Sequence, residues 1–600
     1  MIQTAWFIPL LPTISAIIIG IWGRRIPIKT VATLAAGSVG ISFALALSIL
    51  YVLVTGEQNS YELTLYSWIS SGTFSVDFGF LVDHLSTVML LNVTGVGFLI
   101  HLFAIGYMYD DKESFHRFFC YMNFFVASML VLVLGNNFLM MFLGWEGVGL
   151  FSYLLIGYYF HKDSARSAAT KAFIMNRIGD FGFLIGVVLI FLVFGTTNYL
   201  DVFEQANKLF EGGELIMTVI CLSLFVGAMG KSAQIPLYTW LADAMEGPTP
   251  VSALIHAATM VTAGVYMVVR CNVLFDLAPY AMMTVAVIGG ITALYAATIG
   301  LAQNDIKRVL AYSTVSQLGY MFLACGLGAY VAAIFHVVTH AFFKACLFLG
   351  SGSVIHGMHH EQDIRKMGNL KKYMPITHIT FAISTLAIIG IFPFAGFFSK
   401  DEILWSAFQG GNYGLWAMGA CGAFVTAFYM SRVYLMTFQG VCRIEPELEK
   451  KVHESPKIMT MPLVILATLA FCGGLLGLPI IENGHVLKEW LTPVIHSLSS
   501  VVHDEAHAHH DVALELMLMG FTMSIGICGM GLAYYMYIMR PEVPEKIVAK
   551  CQFLYRLIFN KYYVDELYDA AIVKPLIILS KFWWKDVDAK VVDGVVNDFC

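Results

Sequence analysis

Charge is what this sequence has least of. Only 13% of its 600 residues are Asp, Glu, Lys or Arg, and 58% are hydrophobic, whereas about a quarter of an average soluble domain is charged. That shortage excludes a water-soluble fold. A basic excess is missing too: the net charge of −6 is small for this length and mixed in sign, which leaves no footprint for nucleic acid. The eleven cysteines contain no C-x-x-C spacing and several lie inside apolar runs. This argues against a disulfide framework and against an iron–sulfur or zinc site. The opening MIQTAWFIPLLPT has no basic segment ahead of its apolar run, so it reads as a retained first helix and not as a cleaved signal peptide.

What the chain has instead is a succession of long, nearly uncharged stretches. Each is long enough to cross a hydrocarbon core of about 30 Å as a helix. Fifteen are read, at 4–22, 31–55, 80–107, 117–134, 137–160, 171–195, 214–240, 248–272, 277–301, 306–328, 329–355, 373–396, 414–438, 458–479 and 512–539. The expected fold is an all-α polytopic membrane protein. Loops following odd-numbered helices carry eighteen Lys and Arg; the opposite side carries Lys208 and Lys488, with Arg270 and Lys400 borderline. The positive-inside bias puts the basic loops in the cytoplasm and the N-terminus outside, in a bacterial-type inner membrane.

Residues 56–79 alternate polar and apolar around Gly72 and predict an outer-face strand hairpin. HDEAHAHH at 503–510 reads as a solvated loop that could in principle hold a divalent metal. Beyond Pro541 no apolar run reaches spanning length, because Lys574, Pro575, Lys581 and Lys585 interrupt it. A lateral amphipathic helix fits that segment better than another span; a cytoplasmic tail is the alternative. The expected division is 1–116 (first helices and hairpin), 117–272 and 273–440 (two five-helix blocks), 441–540 (additional spans) and 541–600 (lateral segment). In the fourth helix of each block a lysine lies near a proline: Lys231 with Pro236, and Pro393 with Lys400. Five is odd, so a second block repeating the first is inverted across the membrane.

Charges inside the spans point to function. Each costs roughly 2.5–3.5 kcal/mol at mid-bilayer on insertion scales. Glu146 falls near the middle of its span. Lys231 lies late in its helix, where Pro236 removes a backbone hydrogen bond and breaks the helix. His336, His340 and Lys344 recur at i, i+4 and i+8 and share one helical stripe about 12 Å long, the spacing of a proton relay. Zinc on that H-x-x-x-H is disfavoured, since H-E-x-x-H is absent and Lys344 would repel a cation. His256 shares a face with Ser252 and Thr259 and could join Lys231 to the stripe. Lys400, Asp401 and Glu402 follow Pro393 as an entry or exit point. Arg177 and Asp180, spaced i, i+3, are expected to pair with each other, and Lys307 with Asp305. These three, Arg177, Asp180 and Lys307, are second-tier candidates. A carboxylate such as Glu146, approaching and leaving Lys231, would load and unload it.

At these residues the chain resembles the antiporter-like membrane subunits of respiratory complex I, the NADH-quinone oxidoreductase subunit L (chain 5) family. The likeness runs through nearly the whole chain. Its most specific stretches are DHLSTVMLLNVTGVGFLIHLFAIGYM (83–108), GWEGVGLFSYLLIGYY (144–159), GAMGKSAQIPLYTWLADAMEGPTPVSALIHAATMVTAGVY (227–266), FPFAGFFSKDEIL (392–404) and YYVDELYDAAIVKP (562–575). The resemblance implies that Glu146 is the family's fifth-helix carboxylate, Lys231 its broken-helix lysine, Lys344 its central lysine and Lys400 the lysine of the second broken helix. His256, His336 and His340 match its connecting polar axis. Lys400 followed by Asp401 favours subunit L over the sister subunit M, which usually has glutamate there. It further implies partners among the other membrane subunits of complex I, above all the neighbouring antiporter-like subunit, and contact with lipids. FMN, iron–sulfur clusters and quinone are expected in partner subunits, with no cofactor or metal in this chain. The family usually adds a final anchoring span after its lateral helix, which this sequence lacks, so a truncation or an unanchored arm is expected. The competing readings are a large subunit of a multi-subunit sodium/proton antiporter and a purely structural membrane scaffold.

Overall fold

Residues 2–72, 74–478, 484–495 and 512–599 are described by a computed structural model. They form two units, Met1–Pro541 and Glu542–Cys600. The metal reading of 503–510 lies outside the described residues.

In the first unit α1 (Phe7–Trp22) and α2 (Ile28–Thr55) precede a hairpin of β1 (Ser60–Ser71) and β2 (Phe74–Asp83). Next come α3 (His84–Tyr107), α4 (Phe115–Leu134), α5 (Phe138–Ile156), α6 (Asp163–Phe194), the short α7 (Tyr199–Leu209) and α8 (Leu215–Lys231). After a break follow α9 (Trp240–Asp243), α10 (Thr249–Ala257), α11 (Ala263–Arg270), α12 (Asn272–Asp276), α13 (Pro279–Gly300), α14 (Ile306–Gly326) and α15 (Tyr330–Gly357). The unit closes with α16 (Pro375–Ile389), α17 (Ala395–Gln409), α18 (Tyr413–Phe438), α19 (Pro446–Glu449), α20 (Lys457–Cys472), α21 (Val486–Leu491) and α22 (Val512–Tyr534). Among the described residues, twelve helices are long and apolar enough to cross a membrane, counting α10 and α11 as one. The other three sequence-read runs correspond to α8 and α16, which stop short at breaks, and to α14, which carries too many polar side chains.

Small residues set the close packing. A Cβ on Gly289 of α13 would meet the Leu323 backbone nitrogen at 2.5 Å, and one on Gly319 of α14 would meet that of Ala293 at 2.5 Å. The two backbones are therefore in contact, as is common where hydrocarbon supplies no hydrophobic drive. The α10–α11 span is enclosed along its length, and α15 nearly so. Polar side chains on them must find partners inside the protein.

The hairpin lies where the alternation predicts it, with Gly72 at φ +59° in its turn and an antiparallel register from Ser60↔Asp83 to Ser71↔Phe74. One boundary differs. The third helix begins at His84, not at 80, because Phe80–Asp83 pair with Ser60–Leu63 and Asp83 caps the helix. Its carboxylate accepts from the Ser86 N–H at 2.8 Å, and the Asp83 N–H in turn donates to the Ser86 hydroxyl at 2.8 Å. Asp83 also holds Arg270 in a two-pronged ion pair, both side chains being buried. Arg270 further donates from Nε to the Tyr266 hydroxyl at 3.1 Å, and that hydroxyl donates to Val133 O at 2.7 Å. Loop-charge counting treated Arg270 as a borderline surface cation; it is a buried tie between the hairpin and α11.

The second unit is helical throughout, with left-handed residues at Lys561–Tyr563 separating Gln552–Phe559 from a run that continues from Val564 to Phe599. Apolar side chains such as Leu567, Leu576, Ile578 and Trp584 are exposed on it, and Lys574–Asp569 (2.8 Å) and Lys590–Asp586 (2.5 Å) pair along it.

Removing one member of a buried ion pair costs about 3–5 kcal/mol. Arg270→Ala is accordingly expected to lower the thermal midpoint of the detergent-purified protein markedly. Asp83→Leu/Arg270→Met, which removes both charges, is expected to recover most of the loss.

Candidate functional site

The break after α8 positions Lys231. Ala233 adopts φ +50°, the Ile235–Pro236 peptide is cis, and the helix does not resume until Trp240. The freed helix end is held by side chains: Trp240 Nε1 donates to Gly230 O at 3.0 Å, and Gln234 Nε2 to Ser232 O at 2.9 Å. Lys231 is thus the last helical residue, fully buried, with its ammonium turned sideways into the protein.

Its counter-ion is Asp180 of α6. Nζ lies 3.1 Å from Asp180 Oδ2, while Trp145 Nε1 donates to Oδ1 of the same carboxylate at 2.7 Å. Gly149 of α5 makes room, since a Cβ there would stand 2.7 Å from Nζ. This corrects two expectations. Asp180 does not pair with Arg177 along α6, and Glu146 is not the carboxylate against Lys231. Arg177 instead reaches across to Glu146. Helical geometry explains both results. Trp145 and Gly149, spaced i, i+4, face Lys231, so Glu146, about 100° round from Trp145, faces away from it. The Arg177–Glu146 pair is partly accessible, at 43% and 19% of the side chains.

The span carrying His256 is itself broken. α10 ends at Ala257, and Thr259 sits at φ −128°, ψ −113°, so Thr259 is not on the helical face of His256 and Ser252. The two breaks abut: a Cβ on Gly264 would meet Ser232 Oγ at 2.4 Å. The His256 ring stacks on Phe348 at 5.2 Å, and neither ring nitrogen has a protein hydrogen-bond partner among the described residues. His340 approaches the same break, with Nδ1 3.4 Å from Ala257 O.

Towards the N-terminal end of the α15 stripe, the His336 and His340 rings neighbour each other at 6.3 Å. Lys344, fully buried, donates to Leu310 O at 3.1 Å and to the Ser313 hydroxyl of α14. His336 bridges onward. Nδ1 is 2.9 Å from Ser399 Oγ and Nε2 is 3.0 Å from Gln317 Oε1. Ser399 adjoins Lys400, whose Nζ lies 4.9 Å from the centroid of the Tyr320 ring and has no hydrogen-bond partner among the described residues.

Past a third break, between α16 and α17, which includes a cis Phe392–Pro393 peptide, Asp401 accepts from Thr522 Oγ1 of α22 at 2.7 Å. Glu402 faces His485, whose Nε2 is 3.1 Å from both carboxylate oxygens. Lys307 also departs from expectation: Asp305 caps its backbone N–H, while the buried ammonium donates to Met245 O (2.6 Å) and Gly247 O (2.8 Å). Helix periodicity did not single out Trp145, Gly149, Ser313, Gln317 or Ser399. Only adjacency to Glu146 and Lys400 could have flagged Trp145 and Ser399. Among the described residues no three His, Cys, Asp or Glu side chains gather as a metal-holding group.

Residues 135–426 match the model of the NADH:quinone oxidoreductase/Mrp antiporter transmembrane family, and residues 68–119 that of the NADH-ubiquinone oxidoreductase (complex I) chain 5 N-terminus. The NADH-quinone oxidoreductase subunit L of Neisseria meningitidis serogroup B is 43% identical over 98% of this chain and 92% of its own length. The proteins of that name from Rickettsia bellii and Mycobacterium tuberculosis are 44% and 45% identical, over 98% and 99% of this chain and 91% of each relative. The chain belongs to the NADH-quinone oxidoreductase subunit L family. Its fold is also that of a chain in the Mrp complex from Dietzia sp. DQ12-45-1b, with a TM-score of 0.74 at 23% identity, covering 96% of this chain and 60% of that one. A chain of the archaeal membrane-bound sulfane sulfur reductase aligns with a TM-score of 0.70 at 21% identity, over 83% of this chain and 99% of that one.

The packing of Gly149 against the ammonium is open to test in this subunit L family member. Gly149→Ala overfills the site and is expected to cost about 1–3 kcal/mol, read as a lower thermal midpoint. In a Lys231→Met background, itself destabilised because the buried Asp180 carboxylate loses its partner, the same Gly149→Ala change is expected to cost much less. Equal destabilisation in both backgrounds would show that the ammonium is not what Gly149 accommodates.

Proposed function

We propose that this chain is the proton-translocating, antiporter-like membrane subunit of an NADH-quinone oxidoreductase, and that Glu146, Lys231, His256, His336, His340, Lys344, Lys400 and Asp401 form its proton path. One observation supports the assignment of the path: titratable groups on α5, α8, α10, α15 and α17, all buried except the partly accessible Glu146 of α5, are carried by helices interrupted at three breaks. On or at the ends of the same helices, Ser152 Oγ, Ser232 Oγ, Ser252 Oγ and His340 Nε2 are buried polar atoms without a protein partner among the described residues. Buried polar atoms require hydrogen bonds, and water reaching these atoms supplies the proton wire between the charges.

The drive is electrostatic. At an effective dielectric near 20, an ammonium 3.1 Å from a carboxylate gains about 5 kcal/mol, and at roughly 10 Å only about 2 kcal/mol. Separating Asp180 from Lys231 therefore makes some 3–4 kcal/mol available to send the lysine's proton toward His256 and the α15 stripe. Arg177 is the lever in this scheme. It holds Glu146 from the residue position three before Asp180, so a shift of α6 changes both pairs together. His336, Ser399 and Lys400 pass the proton on to Asp401, with Glu402 and His485 beyond it. NADH oxidation and quinone reduction belong to partner subunits, with the adjoining antiporter-like subunit as the nearest neighbour.

Fifteen crossings, with the N-terminus outside and the basic loops in the cytoplasm, complete the reading, α8–α9 and α16–α17 each counting as one broken span. Two five-helix blocks of opposite orientation, each broken beside a lysine, fit that arrangement. The sodium/proton antiporter reading is favoured by the likeness to the Mrp complex, but that likeness is one of fold at 23% identity.

In vesicles containing the assembled complex, Lys344→Met is expected to cut NADH-driven proton uptake at least about tenfold while complex assembly stays normal. Sodium exchange that proceeds without quinone turnover would overturn the assignment in favour of the antiporter.

A further inference from the structure

The path leaves unused a small basic cavity at the far side of the first helices. About 190 Å³ in volume, it is lined by Gly23, Arg24, Ile28, Lys112, Glu113 and His116, among others. It lies where α1 ends and where α2 and α4 begin. Gly23 brings these ends together: a Cβ on it would stand 2.6 Å from His116 Cβ. That approach places Arg24 against the start of α4.

Three features of the cavity point to an anionic occupant. Arg24 and Lys112 are exposed and form no ion pair among the described residues, nor do the flanking Arg25 and Lys29. Against them stands the single carboxylate of Glu113. Both α2 and α4 begin there without a side-chain cap, so their first N–H groups add positive potential. The volume suits a phosphate-sized group and is below that of a drug-sized ligand site.

The surface beside the cavity says where that phosphate comes from. Ile14, Ile17 and Ile21 follow at i, i+3 and i+7 on α1, exposed by 43%, 45% and 63%, and Trp22 closes the helix at 46%. This apolar stripe lies on the helix whose C-terminal end borders the cavity, a helix long and apolar enough to cross the membrane. A tryptophan and a basic cluster at the end of such a helix mark the headgroup level.

We infer that this cavity binds the phosphate of an anionic phospholipid, with Arg24, Lys112 and His116 on the headgroup and an acyl chain along Ile14, Ile17 and Ile21. The site is separate from the proton path and rests only on α1, α2 and α4 crossing the membrane.

Photolabelling of the full-length chain in its detergent-purified complex tests this, using phosphatidylglycerol or phosphatidylcholine with a diazirine in the acyl chain. The glycerol lipid is expected to label the peptide containing Ile14–Trp22 well above the choline lipid. Arg24→Gln/Lys112→Gln is expected to weaken that labelling about thirtyfold, and Glu113→Gln to strengthen it about fivefold, at roughly one surface charge each. Lys208→Gln, at an exposed lysine of α7 that does not line the cavity, is expected to leave it unchanged. An unaltered thermal midpoint separates loss of binding from loss of fold. Equal labelling by both lipids, or unchanged labelling in the Arg24/Lys112 variant, would overturn the proposal. Abolition of labelling by millimolar inorganic phosphate would reassign the cavity to free phosphate.

Discussion

The fold is organised around the cost of keeping charge inside a hydrocarbon layer. Lys231, Asp180, Lys344 and Lys400 are all nine-tenths or more buried, and an isolated ion at that depth is not tolerated without a partner or water. Each is met differently. Lys231 has a carboxylate at 3.1 Å, Lys344 has a carbonyl and a hydroxyl from α14, and Lys400 has the face of Tyr320. Along the proposed path the partners weaken from a carboxylate to neutral oxygens to an aromatic ring. A charge beside a carboxylate keeps its proton until the two are separated, whereas one facing only an aromatic ring holds its proton less firmly.

Breaks in the helices answer the same constraint. An unbroken helix satisfies its own backbone and offers nothing to a neighbouring ion. By stopping at Lys231, at Ala257 and at Ile389, the chain exposes backbone groups only where other protein segments enclose them. Trp240, Gln234 and His340 use those groups. The enclosed α10–α11 and α15 then connect two lysine sites that no single helix could join.

Much of this was legible in the chain. The apolar runs, the hairpin around Gly72, the break beside Pro236 and the His336/His340 stripe all follow from local periodicity and proline chemistry, which depend on residues close in sequence. Lateral partnering was not legible. Arg177 and Asp180 look like an intrahelical pair, yet each finds a partner on another helix, because α6 presents them to α5 and α8 in different directions. Asp83 looked like part of a helix and proved to be its cap, a role set by the strand pairing Ser60↔Asp83. Ser313, Gln317 and Ser399 carry no signal of their own; they matter only because α14 and α17 pack against α15.

The central claim is that the buried lysines change protonation during turnover. Side-chain ¹⁵N magnetic resonance of lysine-labelled complex in bilayers, recorded at rest and under steady NADH oxidation, addresses it directly. The account predicts that resonances assigned to Lys231 and Lys344, by their loss in the Lys→Met variants, shift population between ammonium and neutral amine with turnover. Ammonium signals that persist unchanged for both lysines in every state would contradict it.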